Sequence, residues 1–277
     1  MIFLTGDTHI PIDIDKLSKK NFPLQKNLTR NDYVIVLGDF GLLWKRDKTY
    51  EYWLDTLSRK NFTLLWLDGN HENFDWLDEL PVTDWHGGKV QLVADNIIHL
   101  MRGNIYTIEG KTFFVMGGAA SVDQEHRQEH ISWWPQEQPN YKELMLGMEN
   151  FAARDHTVDY ILSHTCPYEL IRPMFHIDPR EVPDELKAPE KALQTIAEAT
   201  TFQHWFFGHW HENKSYGKYH CLYNDVVSLA EYDQEQPPSR GQKTKAELFD
   251  ELVSDFHGDL RCEEADTGKD VGREVVE

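Results

Sequence analysis

Five short segments of this 277-residue sequence concentrate the residue types that bind metal ions: Gly6-Asp7-Thr8-His9, Gly38-Asp39-Phe40-Gly41, Gly69-Asn70-His71-Glu72, Ser163-His164-Thr165 and Gly208-His209-Trp210-His211. Each follows an apolar run with strand character, so each couples a strand end to a turn that carries a ligand-type side chain. In an extended chain, residues i and i+2 point to the same side, which lets Asp7 converge with His9 and His209 with His211. In four of the five segments a glycine stands immediately before the ligand-type residue, where it permits a tight turn and close backbone approach. A single Asp-x-His or His-x-His is a weak signal, but five such segments after strands are a strong one. Mixed imidazole and oxygen donors suit Mn²⁺, Fe, Zn²⁺ or Ni²⁺ better than Mg²⁺ or Ca²⁺, which favour all-oxygen shells.

The elements that must position these segments are legible as apolar runs bounded by Gly, Pro, Asn or Asp. They predict strands over Ile2–Thr5, Tyr33–Leu37, Thr63–Leu67, Ile97–Met101, Ile105–Glu109, Thr112–Met116, Tyr160–Ser163, Trp205–Phe207 and Val226–Leu229. Several are continuously apolar, as in central strands buried on both faces. Helices are predicted where Tyr50, Trp53, Leu54 and Leu57 recur at helical spacing and over Pro189–Thr200. Strands and helices alternate around a strand-rich middle, which points to an α/β fold of layered sheets flanked by helices. Gly87-Gly88 reads as a turn, and Arg102-Gly103-Asn104 and Glu109-Gly110-Lys111 read as turns within a meander. From Asp233 the chain turns polar, with Pro237-Pro238. Residues 233–277 are expected to be a linker, one short amphipathic helix with Leu248, Phe249, Leu252, Val253 and Phe256 on one stripe, and an acidic tail.

Composition narrows the partners. Against 47 Asp plus Glu stand 28 Lys plus Arg, a formal charge of −19, and so acidic a chain lacks the basic footprint that duplex nucleic acid requires. Cys166, Cys221 and Cys262 show no paired or CxxC spacing, so neither a disulfide framework nor a thiolate zinc site is indicated, and a reducing compartment is expected. The start, MIFLTGDTHI, has no basic segment before its apolar run, and no stretch approaches the ~18 apolar residues of a membrane span. The expectation is a soluble cytoplasmic protein with no membrane partner; the oligomeric state is not legible.

The five segments, in this order, resemble the signature of the calcineurin-like metallophosphoesterases: DxH, GDxx, GNH(D/E), a lone His after a strand, and GHxH. The resemblance covers roughly residues 1–232. It implies a four-layer α/β fold, a central β-sandwich of two mixed sheets flanked by helices, with a two-metal site on loops at strand ends. Carried over residue by residue, Asp7, His9, Asp39 and His211 would hold one ion, Asn70, His164 and His209 the other, and Asp39 would bridge them. Two such ions ~3.5–4 Å apart lower the pKa of a bridging water and clamp a phosphoryl group, so that hydroxide attacks phosphorus. The expected cofactor is a pair of divalent ions, Mn²⁺ first. The resemblance also gives His71 the role of protonating the leaving group or stabilising its charge, work suited to a group titrating near neutrality.

The chain departs from the family pattern after the bridging aspartate. Where many members have a second carboxylate it has Leu42, and where the protein phosphatases have an arginine it has Trp44. This leaves Glu72 or Asp75 to orient His71, and argues against a Ser/Thr protein phosphatase. The 92 residues 72–163 contain Met116-Gly117-Gly118 after a strand, then Asp123, His126, Arg127, His130 and Trp133-Trp134. This pattern resembles a bacterial and phage branch of the same family. Two glycines at a strand end allow backbone to approach a ligand, and Arg127 suits bidentate phosphate recognition, with His126 beside it. Bulge, surface ion-pair and core-packing roles are the alternatives for Gly117-Gly118, Arg127 and the tryptophans. The reading is a dinuclear-metal phosphoesterase acting on a small phosphodiester or phosphomonoester. Its rivals are a nuclease acting on single-stranded ends and a non-catalytic protein whose metal site scaffolds an interaction.

Overall fold

In a computed structural model of the chain, which describes residues 1–233, the apolar runs become strands of two stacked sheets. In chain order these are β1 (Ile2–Thr5), β2 (Tyr33–Leu37), β3 (Thr63–Leu67), β4 (Val82–Trp85), β5 (Gly88–Ala94), β6 (Ile97–Leu100), β7 (Ile105–Ile108), β8 (Lys111–Met116), β9 (Tyr160–Ser163), β10 (His204–Phe207), β11 (Lys214–Tyr216), β12 (Tyr219–Cys221) and β13 (Val227–Ser228). The helices are α1 (Lys48–Ser58), α2 (Phe74–Asp78), α3 (Tyr141–Ala152), α4 (Tyr168–Phe175) and α5 (Ala188–Ala199). One sheet runs β13-β1-β2-β3-β6-β5-β4 and the other β11-β12-β10-β9-β8-β7. The middle of each is parallel, β1-β2-β3-β6 and β12-β10-β9-β8, with antiparallel strands outside. Both sheets are therefore mixed, as expected.

Alternation of side chains divides the core into three layers. Leu4, Ile35, Leu65 and Ile98 of the first sheet meet Tyr106, Phe113, Tyr160 and Phe206 of the second between the sheets. The opposite face of the first sheet, with Phe3, Val34, Val36, Leu64 and Trp66, packs against Leu57 of α1 and Phe74 and Leu77 of α2. The outer face of the second, with Phe114, Met116, Ile161 and Trp205, is covered by Leu144, Met148 and Phe151 of α3, Leu170 and Met174 of α4, and Leu193 and Ile196 of α5. Strands buried on both faces explain the continuously apolar runs.

Three sequence expectations change. The first hairpin turn is His86-Gly87, one residue earlier than Gly87-Gly88, with φ of +49° and +94°, the left-handed pair of a two-residue turn. Glu109-Gly110 closes the β7–β8 hairpin, but Arg102-Gly103-Asn104 is no meander turn: it carries the chain from one sheet to the other. Arg102 fixes that crossing, with its Nε 2.7 Å from Asp68 Oδ2 and its Nη1 3.1 Å from Glu143 Oε2, while Glu143 also caps α3. Finally, the edge strands β4 and β11 are short and largely exposed, and β12 beside β11 is only three residues long, so no apolar run announced them. The predicted linker, amphipathic helix and acidic tail lie outside the described residues apart from Asp233. Among the described residues no helix is long and apolar enough to cross a membrane.

Behind the site, α5 places Glu190 in the core. One carboxylate oxygen accepts a 2.8 Å bond from Thr165 Oγ1 and the other has no hydrogen-bond partner. Burial lifts this carboxyl to about 7, against the opposing pull of the Thr165 bond and of His164. A carboxyl whose folded pKa is raised contributes stability at low pH that is lost as pH climbs from the unfolded value through the folded one. Glu190→Gln keeps the acceptor for Thr165 without the charge. Between pH 5 and 8 the wild type should therefore lose up to about 3 kcal/mol more unfolding free energy than the variant, measured by urea titration at both pH values.

Candidate metal centre

The C-terminal ends of β1, β2 and β3 in one sheet meet those of β9 and β10 in the other, and the five ligand-bearing segments leave from these ends. Asp7, fully buried, accepts the His209 N–H at 3.0 and 3.1 Å and lies 3.0 Å from His211 Nε2. Asp39 Oδ2 is 3.1 Å from His9 Nε2, while Oδ1 accepts the His71 N–H at 2.8 Å and lies 3.3 Å from His164 Nε2. His164 Nδ1 donates to the Leu37 carbonyl at 2.8 Å, which turns Nε2 toward Asn70 Oδ1 at 3.1 Å. The His209 ring stands edge-on to that of His164, with centroids 5.0 Å apart. Donor atoms of Asp7, His9 and His211 lie within 4.8 Å of one another, as do those of His9, Asp39 and His71. All seven expected ligands and His71 thus share one cluster, with Asp39 in contact with both groups.

Charge balance in the cluster follows from burial. Dehydration disfavours both carboxylates, yet the histidines around them outweigh it and hold Asp39 well below, and Asp7 below, the usual range. His164 also loses hydration, but Asp39 and Asp7 lift it to about 10. Burial and the positive His164 push His209 down to about 3, which keeps its lone pair free to donate. Two buried carboxylates, an amide oxygen and four imidazoles, gathered in one cluster, are the donor set of divalent transition ions. The residues present fit such ions.

The backbone is bent to bring these groups together. His9, Asp39, His209 and His211 have φ of +35°, +47°, +66° and +52°, the left-handed region that non-glycine residues seldom occupy. Such conformations cost of order 1–3 kcal/mol each and persist where the surroundings over-determine them. At Gly69 the requirement is close approach: a Cβ there would lie 2.0 Å from Asp39 Oδ1 and 2.7 Å from His164 Nε2.

Several supporting residues were not singled out in the sequence. Asp13 Oδ2 holds His9 Nδ1 at 2.9 Å, and its i+4 spacing from His9 was the available signal. Tyr223 stacks on His211, with centroids 4.6 Å apart and planes 13° apart; nothing local to the motif announces it. His71 is oriented by neither Glu72 nor Asp75. Glu72 accepts the Phe40 N–H at 2.7 Å, and Asp75 takes His130 Nδ1 at 2.9 Å and Trp134 Nε1 at 2.8 Å. Arg127 approaches His71 instead, Nη1 at 3.5 Å from Nδ1 and Nη2 at 3.4 Å from Nε2. The in-plane directions of the two ring nitrogens diverge, so one guanidinium comes within 3.5 Å of both only by lying against the ring. Asp123 anchors it with a 2.8 Å contact to Nε. Burial, reinforced by Arg127 against the opposing Asp39, lowers the pKa of His71. His126 lies apart, its side chain 78% exposed and 3.5 Å from Glu125. Gly117 approaches Asp68 rather than the cluster, and Trp134 is core, 5.4 Å from Trp44.

Gly69→Ala tests the close-approach requirement. Its methyl would displace Asp39 and His164 together, so the variant should remain folded by circular dichroism yet lose most bound metal by elemental analysis. A full metal complement would show that the loop relaxes around the methyl.

A family model described as calcineurin-like phosphoesterase matches residues 1–213. A search among curated proteins finds no match. With its two mixed sheets, flanking helices and acid–imidazole cluster at the strand ends, the chain belongs to the calcineurin-like phosphoesterase family, whose members hydrolyse phosphoric esters.

Proposed function

We propose that this protein hydrolyses a small phosphodiester or phosphomonoester, using two divalent ions held by Asp7, His9, Asp39 and His211 on one side and Asn70, His164 and His209 on the other, with Asp39 shared. The observation that carries this reading is the convergence of five strand-end segments from two sheets on the buried pair Asp7 and Asp39: Asp39 touches His9 and His164 at 3.1 and 3.3 Å, and Asp7 lies 3.0 Å from His211. When bound, such ions make water a stronger nucleophile and draw charge from phosphoryl oxygens. Mn²⁺ is the first choice, on the mixed nitrogen and oxygen donors.

The remaining work falls to the chain. Asp13 and the Leu37 carbonyl fix which nitrogens of His9 and His164 face the site. Arg127 offers a guanidinium for a non-bridging phosphoryl oxygen. His71, close to Asp39 and His9, protonates the leaving oxygen or, as the neutral imidazole that its lowered pKa favours, stabilises the charge there through an N–H hydrogen bond. With a formal charge of −19, the protein repels long polyanions beyond the reach of that local positive charge, which favours a compact ester over a nucleic-acid strand. The free, buried Cys166 and Cys221 fit a cytoplasmic setting.

The test is elemental analysis of the purified full-length chain, then a Mn²⁺-supplemented screen of aryl mono- and diesters, cyclic nucleotides and short oligonucleotides. About two equivalents of metal and turnover of small esters are expected. Neither metal nor hydrolysis would overturn the reading, and preference for oligonucleotide ends would move it to a nuclease. His71→Ala should keep its metal and lose roughly 10²–10⁴-fold in kcat on esters with poor leaving groups, with a smaller loss on aryl esters. Arg127→Ala should raise KM more than it lowers metal content.

A further inference from the structure

Asn70 presents an amide whose two ends differ for a cation: the oxygen donates a lone pair and the NH₂ repels. Something must decide which end faces the site. Its Nδ2 donates to Ser121 Oγ at 3.1 Å, and Ser121 Oγ is 2.7 Å from Glu137 Oε2. Glu137 Oε1 meanwhile accepts the Ser121 N–H at 2.7 Å and Gln124 Nε2 at 2.8 Å. Asn70, Ser121 and Glu137 are all buried, so water does not substitute for these bonds. Two N–H donors on Oε1 favour the carboxylate, against the burial that raises its pKa. A hydroxyl has one hydrogen, and that of Ser121 is committed to Glu137; toward Asn70 the oxygen only accepts. It therefore selects the NH₂ end and leaves Oδ1 pointing at His164 Nε2, 3.1 Å away.

We infer that Ser121 and Glu137, both from the insertion after β8, are positioning residues that lock the Asn70 carbonyl toward the ion shared with His164 and His209. This rests on the two-ion reading above. The carboxylate acts through the direction of one hydrogen bond, and the amide analogue reverses that direction. In Glu137→Gln the amide oxygen goes to the two N–H donors, and its NH₂ meets Ser121 Oγ. The freed hydroxyl hydrogen then favours the Asn70 oxygen and turns the Asn70 NH₂ to the site. Ser121→Ala removes the guide without imposing the reverse, and Ser121→Thr retains the hydroxyl.

The test is calorimetric titration of the metal-free full-length chain with Mn²⁺, with electron paramagnetic resonance to separate isolated from coupled Mn²⁺ and thermal unfolding to confirm the fold. Ser121→Ala and Glu137→Gln should weaken one of the two ions roughly 10–100-fold, Glu137→Gln the more, leave the other ion at wild-type affinity, and lose the coupled signal. Ser121→Thr should restore both ions. Wild-type affinities at both sites in the first two variants, or equal weakening of both ions as a general structural defect would give, overturn the inference. A wild type that takes up only one ion removes the two-ion reading and this inference with it, an outcome distinct from two ions bound equally well by all variants. Should Glu137→Gln fail to fold, Ser121→Ala against Ser121→Thr decides.

Discussion

Two carboxylates, Asp7 and Asp39, are buried where the open ends of the two sheets meet, and their charge governs the structure around them. An isolated carboxylate in such a place would take up a proton rather than stay ionised. Here each is ringed by imidazole and backbone N–H groups at 2.8 to 3.3 Å. Satisfying them requires donors from separate strands at short range. That requirement is met by left-handed backbone at four ligand positions and by glycines that leave room for the carboxylates themselves. The strain is local, and the rest of the sandwich is ordinary, alternating and apolar.

A second buried charge network holds the Asn70 loop from behind. Asp68, two residues before Asn70, lies 3.0 Å from His99 Nε2 on β6 and 2.5 Å from Arg102 Nη2 at the crossing between sheets. Arg102 continues to Glu143, which completes the capping box of α3 with Asn140. Breaking one partner of such a buried network typically costs 3–5 kcal/mol, because it strands the other charge. The loop that carries Asn70 and His71 is thus tied to both sheets and to a helix. The segment bearing Arg127 is tied through Asp123 and, via His130 and Trp134, to Asp75 on α2. His71 and the guanidinium that lies against it are consequently joined through α2 as well as by their own contact.

The sequence made the parallel cores of both sheets visible because strands buried on both faces must be apolar throughout. Ile2–Thr5, Tyr33–Leu37, Thr63–Leu67 and Tyr160–Ser163 match to the residue. Edge strands such as Lys214–Tyr216 were illegible, since half-exposed three-residue strands need no apolar pattern. At the site the metal-ligand types stood out because chemistry restricts them to few residues. What lies behind them did not: an arginine on an imidazole, or a serine steering an amide, are contacts between segments some 50 residues apart, and no local spacing encodes them. The turn at Arg102-Gly103-Asn104, which joins the two sheets rather than two strands of a meander, belongs to the same class, because its place in the fold is decided by Asp68 and Glu143 elsewhere in the chain.

The division of donors between the sheets links the site to the fold. The first sheet supplies every oxygen donor of the proposed set, Asp7, Asp39 and Asn70, together with His9, whereas the second supplies only imidazoles, His164, His209 and His211. The contacts that cross the seam at this edge are therefore acid or amide to imidazole, such as His211 to Asp7 at 3.0 Å and His164 to Asn70 at 3.1 Å. Further in, the same seam is closed by Leu4, Leu37, Leu67, Leu162 and Phe206. A species that engages donors of both sheets joins them at this edge, and it stabilises the folded chain by its own binding free energy. Affinity at the centre and cohesion of the sandwich are in this sense one quantity, and a residue that aims a single donor, as Ser121 aims Asn70, acts on both.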